Sequence, residues 1–230
     1  MKRLLLACLL CSANAWAAPR TPFQARCEDT IGATVSTLSA RDAGYTINNT
    51  LSYQALTRMK TGERAGRVVL GLTRTEARIS IGLQAQILGD PVSGQECIAP
   101  HVAVSLSYVP IIIYVGSEFQ PGTCAYAEVL AHEMRHLKAY LDHLPKVEAS
   151  VRAALNKRFA GQPIYAPGGQ GKALLGREID GGWMPYIKKQ MGEVEPLQAA
   201  IDSPQEYARL SKVCKGEVQS LIGSHKRNRE

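Results

Sequence analysis

The pentapeptide His132-Glu133-Met134-Arg135-His136 constrains this chain more than any other stretch, because its chemistry requires one particular backbone conformation. In an α-helix, residues four positions apart lie on the same face, so the two imidazoles can reach one metal ion. Glu133 lies beside them as a candidate general base. The pattern predicts a helix through these residues, with His132 and His136 as zinc ligands. The alternative is a pair of imidazoles satisfied by ordinary hydrogen bonds.

The residues around the pentapeptide, 124–144, have apolar side chains at helical spacing, with Thr123 as the predicted N-cap. Placing them at 100° steps separates three faces. The predicted core face carries Tyr126, Leu130, Met134, Leu137, Leu141 and Leu144. The predicted solvent face carries Glu128, Arg135, Lys138 and Asp142. The third face, with Val129, His132, Glu133, His136, Tyr140 and His143, is expected to line a cleft.

Other segments predict a mixed α+β fold with a small, mainly antiparallel sheet. Residues 67–73 and 78–84 read as a hairpin, and residues 101–108 and 111–115 as two further strands. Pro145 is predicted to end the pentapeptide helix or to open a second one, which Val147, Val151 and Leu155 would pack back against the first. Further helices are expected at residues 53–60, 184–191 and 204–222, and the glycine-rich residues 168–182 are expected to form a loop.

The first residues have the order of a secretory signal peptide. A basic start, Met1-Lys2-Arg3, precedes an apolar run and the small-residue site Ala15-Trp16-Ala17. We expect cleavage after Ala17, so that residues 1–17 are removed and residues 18–230 form a single secreted or periplasmic domain. No later stretch approaches the ~20 apolar residues that a membrane helix needs, so stable membrane insertion is not expected.

Of the six cysteines, Cys8 and Cys11 lie in the signal peptide, which leaves Cys27, Cys97, Cys124 and Cys214. An even number in an oxidising compartment predicts two disulfides. We favour Cys97–Cys124, which would tie down the pentapeptide helix, and Cys27–Cys214, which would join the chain ends. The alternative is buried free thiols.

The formal net charge of +7 does not by itself indicate a nucleic-acid partner. The chain has only three Phe and two Trp, and no aromatic residues alternate with a basic stripe, as single-strand binding requires. We expect no nucleic-acid partner. The oligomeric state is left open.

From His101 to the end of the pentapeptide helix, the chain resembles the zincin metallopeptidases, in which an antiparallel edge strand precedes a helix with this motif. It is also similar to secreted bacterial proteins described as zinc peptidases, which have a cysteine shortly before the motif. The resemblance implies that residues 111–115 form the edge strand and align an extended substrate across the metal. Arg135 and Lys138 depart from the longer zincin consensus, which has an uncharged and a hydrophobic residue there.

Zinc suits this pattern because neutral imidazole is a favoured ligand and a catalytic zinc keeps one position for water. The metal lowers the pKa of that water toward ~7, and Glu133 would accept its proton. The expected activity is hydrolysis of peptide or protein substrates, with one zinc ion as cofactor. Two alternatives remain: a non-catalytic, disulfide-stabilised zinc-binding envelope or interaction protein, and a zinc amidase acting on cell-wall peptides.

The motif does not specify the third ligand. Asp142 occupies the last position of a longer zincin pattern, but Ala139 replaces the glycine that would turn the helix back, so a continuing helix would point Asp142 to water. His143 lies about 10 Å beyond His136 along the helix axis, which is too far. In the gluzincin group of the zincins, the third ligand is a Glu from a following helix, and Glu148 comes too soon after Pro145 to fold back to the metal. The resemblance therefore implies Glu178 as our preferred third ligand, with an ordinary loop carboxylate as its alternative reading.

Overall fold

The structure, a computed structural model, describes residues 19–31, 34–61, 68–159 and 161–227. The predicted signal peptide lies outside the described residues. The strands are β1 (Val35–Arg41), β2 (Thr46–Asn48), β3 (Gly71–Arg74), β4 (Ala77–Asp90), β5 (Gln95–Tyr108), β6 (Ile112–Val115) and β7 (Ile164–Pro167). The helices are α1 (Pro22–Thr30), α2 (Tyr53–Thr61), α3 (Cys124–Arg158), α4 (Gly171–Glu178), α5 (Met184–Gly192), α6 (Glu195–Ile201), α7 (Pro204–Leu210) and α8 (Glu217–Arg227). The predicted α+β class is confirmed.

The described strands form two small mixed sheets. In the larger sheet the order is β1-β5-β4, and β7 pairs with the first residues of β5. β1 runs parallel to β5, whereas β4 and β7 run antiparallel to it. The alternation predicted for residues 101–108 is confirmed, since Val102, Val104, Leu106 and Tyr108 are all buried in the main core.

The smaller sheet has the order β2-β6-β3. The predicted hairpin is therefore wrong, because β3 pairs with β6 while β4 pairs with β5. Only Thr75 and Glu76 separate β3 from β4, and neither is a residue that two-residue hairpin turns favour. The strand at residues 111–115 is also not an edge strand. β6 lies between β2 and β3, and β3 forms the edge of this sheet next to α3.

The pentapeptide lies on α3, a helix of 35 residues whose N-cap is Thr123, as predicted. The Thr123 hydroxyl accepts a hydrogen bond from the backbone N–H of Tyr126 at 3.2 Å. Pro145 neither ends this helix nor opens a second one, contrary to the prediction. Proline removes one backbone hydrogen bond and costs about 3 kcal/mol inside a helix. Burial of Leu144, Val147, Val151 and Leu155 along one continuous stripe offsets that cost.

The third face of α3 is largely buried, and its residues Glu133, His136 and Tyr140 line a cavity, as the prediction of a cleft requires. Val129, His132, Glu133, His136 and His143 are all buried, as are Leu137 and Leu144 on the predicted core face. The predicted solvent side is confirmed at Lys138 and Asp142, which are exposed and form an ion pair at 2.6 Å. One side of α3 therefore packs on the sheets, and another is covered by the C-terminal helices.

The C-terminal region departs from its prediction at two places. Residues 168–182, expected to be a loop, contain α4 and a π-helical turn at Ile179–Trp183. The helix expected at residues 204–222 is divided into α7, a 3-10 turn at Cys214–Gly216, and α8. Cys214 and Lys215 have positive φ angles of 56° and 54°, which an α-helix does not accommodate. None of the helices in the described part of the chain is long and apolar enough to span a membrane.

The described residues form two disulfides, as expected, but the pairing differs from the prediction. Cys27 on α1 is bonded to Cys97 on β5, and Cys124 at the start of α3 is bonded to Cys214. α1 packs over the first part of β5, where Phe23 and Cys27 form a small core with Cys97. The pentapeptide helix is thus tied to the C-terminal segment rather than to β5.

Candidate metal centre

His132, His136 and Asp202 bring three ligand atoms to one point. Nε2 of His132 and Nε2 of His136 are 3.2 Å apart. Oδ1 of Asp202 lies 3.2 Å from Nε2 of His132 and 3.3 Å from Nε2 of His136. The three atoms form a nearly equilateral triangle, and these side chains could hold a metal ion.

The size of this triangle fits zinc. With zinc–ligand bonds of 2.0–2.1 Å, two ligand atoms of a tetrahedral site lie about 3.3 Å apart. Hydrogen bonds alone explain the triangle less well, because its three edges would need three protons. Asp202 is ionised, and each imidazole carries at most one proton at Nε2. The positions of these two nitrogens and one oxygen therefore fit metal ligands better than they fit a hydrogen-bonded cluster.

Asp202 reaches the imidazoles because it lies at the junction of two short helices. It follows the last residue of α6, and Ser203 is the N-cap of α7. α6 packs against α3, which places this junction beside the pentapeptide. The sequence Asp202-Ser203-Pro204 signals a helix start, but nothing local to it indicates a metal ligand.

Gln198 on α6 orients the second imidazole. Its Oε1 is hydrogen-bonded to Nδ1 of His136, and its Nε2 donates to the backbone carbonyl of His136 at 3.2 Å. An amide oxygen only accepts, so in the tautomer that binds a metal Nδ1 of His136 donates to Gln198 and Nε2 keeps its lone pair for the metal. Sequence reasoning missed Gln198, since its role appears only when α6 packs on α3.

Glu206 on α7 orients the imidazole of His132, as Gln198 orients that of His136. Its Oε1 lies 3.4 Å from Nδ1 of His132, and it is ion-paired with Arg135 and Arg209. Hydrogen bonds from Arg209 and Arg135 lower the pKa of Glu206 to about 2, so the carboxylate stays charged. In the tautomer that binds a metal, Nδ1 donates to Glu206. Nη2 of Arg135, now 2.9 Å from Nδ1, then has to move away from Nδ1, and it remains ion-paired with Glu206.

The two oxygens of Asp202 have different partners. Oδ1 faces both imidazoles and accepts a hydrogen bond from the Tyr207 hydroxyl at 3.2 Å. Oδ2 is ion-paired with Nζ of Lys60 at 2.7 Å. Burial raises the pKa of Asp202, but hydrogen bonds from His132, His136 and Lys60 outweigh burial and hold that pKa well below its usual range.

Glu133 is enclosed next to the triangle, and only 3% of its surface is exposed. Its Oε1 lies 4.0 Å from Nε2 of His132, and its Oε2 accepts a hydrogen bond from the Thr73 hydroxyl at 2.9 Å. β3 passes so close that a Cβ on Gly71 would lie 2.7 Å from Cγ of Glu133. Burial raises the pKa of Glu133, although both imidazoles and Thr73 act in the opposite direction.

A cavity of about 300 Å³ opens beside Glu133, His136 and Asp202. Residues Gly71, Leu72 and Thr73 of β3 form one wall. The remaining lining comes from Lys60, Tyr140, Glu195, Gln198 and Ala199. Glu133 and two of the three candidate ligands, His136 and Asp202, therefore face the same cavity.

Glu178, predicted as the third ligand, is engaged elsewhere. Its two oxygens accept hydrogen bonds from Nε and Nη2 of Arg158 at 2.8 and 2.7 Å, and Trp183 adds a third at 3.2 Å. The Arg158 guanidinium holds the pKa of Glu178 below its usual value. Among the described residues, Asp202 and not Glu178 joins the two imidazoles. Arg158 is the last residue of α3 and Glu178 the last residue of α4, so this ion pair joins the ends of the two helices.

The less favoured ligands are also placed away from the triangle. Asp142 pairs with Lys138 at the surface, as a continuing helix requires. Nδ1 of His143 lies 3.0 Å from the hydroxyl of Tyr108. A second cluster in the described residues, Cys124, Cys214 and Glu217, is not a comparable metal site, because its two cysteines are bonded to each other.

Comparison of the chain with known proteins gives no match. No family model, no curated protein and no solved structure matches it. Its function is therefore inferred from the geometry and chemistry of its own residues.

Proposed function

We propose that this protein is an exported zinc-dependent peptidase, with His132, His136 and Asp202 as ligands of one zinc ion and Glu133 as general base. The observation that carries the proposal is the triangle of two Nε2 atoms and one Oδ1, with edges of 3.2–3.3 Å, beside a buried carboxyl group. Two disulfides support export, because disulfides persist in oxidising compartments.

When bound, zinc lowers the pKa of a ligand water toward ~7 and polarises the substrate carbonyl. The protein's own part is to place a proton acceptor beside that position. Glu133 suits this part because Thr73 holds its Oε2, while its Oε1 faces the imidazole of His132. Burial raises the pKa of Glu133 toward the range in which a carboxyl group exchanges protons efficiently at neutral pH.

β3 takes the substrate-aligning role that the sequence assigned to residues 111–115. Among the described strands, β3 pairs only with β6, so its other edge is unpaired. Its residues Gly71, Leu72 and Thr73 line the cavity next to Glu133. An extended peptide adding to this edge would form backbone hydrogen bonds and pass the ligand triangle, which favours a peptide bond as the target.

The decisive experiment combines metal analysis with cleavage. Purified mature protein is expected to contain one zinc and to cleave members of an unbiased peptide library, with activity lost in chelator and restored by zinc. Glu133→Gln is expected to keep the zinc and to lose about 100-fold to 10,000-fold in kcat. Glu148→Gln is the matched control, since Glu148 lies on the same helix and pairs with Arg152 near the surface.

Three results separate the candidate functions. Full cleavage by Glu133→Gln would contradict the general-base role. Zinc without any chelator-sensitive cleavage, of either library or cell-wall peptides, would favour a non-catalytic zinc-binding protein. Cleavage confined to cell-wall peptides would identify an amidase that uses the same residues.

A further inference from the structure

Lys60 contacts the candidate third ligand from the side opposite to the imidazoles. Its Nζ lies 2.7 Å from Oδ2 of Asp202, while Oδ1 faces His132 and His136. We propose that Lys60 is a positioning residue that holds Asp202 as a ligand through one oxygen and so keeps the fourth zinc position open. This inference rests on the metal site of the proposed function.

A carboxylate can bind a metal through one oxygen or through both. Binding through both would place Oδ2 of Asp202 in the position that a catalytic zinc keeps for water. Oδ1 is held by two imidazoles and by the Tyr207 hydroxyl. Among the described side chains, Lys60 is the hydrogen-bond partner of Oδ2. The ammonium group therefore decides where the second oxygen points.

Lys60 lies beside Asp202 because of the position of α2. Lys60 lies in the last turn of that helix, which is anchored by the fully buried Leu56 in a small core with Val69 and Tyr114. Its side chain lines the cavity next to Gly71, Glu133 and Asp202. α2 therefore supplies a cation to the ligand set that α3 and the α6–α7 junction form.

A contribution to folding stability is a weak explanation for the ion pair between Lys60 and Asp202. The side chain of Lys60 is 40% exposed and that of Asp202 is 22% exposed, and ion pairs this open contribute little to folding. Replacing Lys60 by an uncharged residue of similar length is therefore expected to leave the fold intact. The expected effect of the substitution is a change in how Asp202 coordinates the metal.

The test uses the full mature chain loaded with cobalt in place of zinc, because the visible absorption of cobalt reports its coordination number. Wild type is expected to show the intense spectrum of a four-coordinate site. Lys60→Met is expected to show a loss of intensity, as Asp202 supplies a second oxygen, and a fall of about 10–100-fold in kcat of the zinc form. Lys60→Arg, which keeps a cation at Oδ2, is expected to restore most of the spectrum.

Lys138→Met is the matched control, since Lys138 forms an ion pair with Asp142 at the surface of α3. It should keep the wild-type spectrum and activity. An unchanged cobalt spectrum in Lys60→Met would overturn the inference and leave the zinc site standing. A rise confined to KM, with that unchanged spectrum, would instead assign Lys60 to substrate binding. Failure of wild type to bind cobalt would overturn the metal site and this inference together.

Discussion

Asp202 Oδ1 lies 3.2 Å from Nε2 of His132, although the two residues are 70 positions apart in the chain. His132 belongs to α3, whereas Asp202 belongs to the junction of α6 and α7. The contact joins the motif helix to the C-terminal helices, and the Cys124–Cys214 disulfide joins the same two parts of the chain covalently. The candidate metal centre therefore depends on how these segments dock.

Asp202→Asn should release zinc, because an amide oxygen is a weaker ligand than a carboxylate. We expect zinc affinity to fall by more than about 100-fold, which exceeds the usual cost of losing a supporting residue. Glu178→Gln should keep wild-type affinity, since Glu178 is paired with Arg158 away from the imidazoles. Competition with a chromogenic chelator measures both. Loss of zinc in Glu178→Gln with retention in Asp202→Asn would reverse our assignment of the third ligand.

Gly71→Ala should displace Glu133, the proposed general base, without releasing zinc. The added Cβ would lie 2.7 Å from both Cγ and Oε1 of Glu133, so the carboxyl group has to move. A displacement of this size can lower kcat by up to about 100-fold. Zinc content and kcat are measured together. Gly89→Ala is the control, because no atom lies within 4 Å of its added Cβ. Unaltered kcat in Gly71→Ala would show that the position of Glu133 is not critical.

Removing either disulfide should destabilise the protein, but only one should affect zinc. The bonds close segments of 70 and 90 residues, for which loop entropy predicts roughly 4 kcal/mol each. Denaturant unfolding measures this loss of unfolding free energy in two variants, one with Cys27 and Cys97 replaced by alanine and one with Cys124 and Cys214 replaced by alanine. The variant lacking Cys124–Cys214 should also bind zinc more weakly. Cys214 lies just after α7, and α7 carries Glu206, so this disulfide holds Glu206 near the site. Equal zinc affinity in both variants would contradict this link.

His143 should make the metal-free protein less stable in mild acid. Burial lowers the pKa of this imidazole, with Glu193 opposing the shift and Lys146 adding to it. Above about pH 6.5 the imidazole is neutral in both states, and stability is complete. As the pH falls below that value, the unfolded chain binds a proton that the folded chain resists, so stability decreases.

His143→Gln removes this titrating group and should flatten the decline in stability between neutral pH and about pH 5. Denaturant unfolding in chelator measures it, so that zinc release does not contribute. His101→Gln is the control, since His101 is exposed. If His143→Gln and wild type lose stability in parallel, burial of His143 does not carry the acid sensitivity.

Several predictions from sequence succeeded because they rest on local periodicity. Thr123 caps α3, and the alternating residues 102–108 are buried on one side of β5, as their spacing indicates. Other predictions failed because the structure at those positions depends on segments far away in the sequence. Pro145 lies inside α3, because the apolar stripe on both sides of it is buried in one core. β6 is central rather than at an edge, because β2 and β3 flank it.

By itself, the sequence determined the first half of the candidate site. His132, Glu133 and His136 lie together because four residues complete about one helical turn, which needs no information from elsewhere in the chain. Tertiary structure alone decided the rest: the candidate third ligand Asp202, its partner Lys60, the residues Gln198 and Glu206 beside the imidazoles, and the disulfide pairing. These contacts join residues far apart in sequence, and no local spacing rule specifies which segments pack against each other.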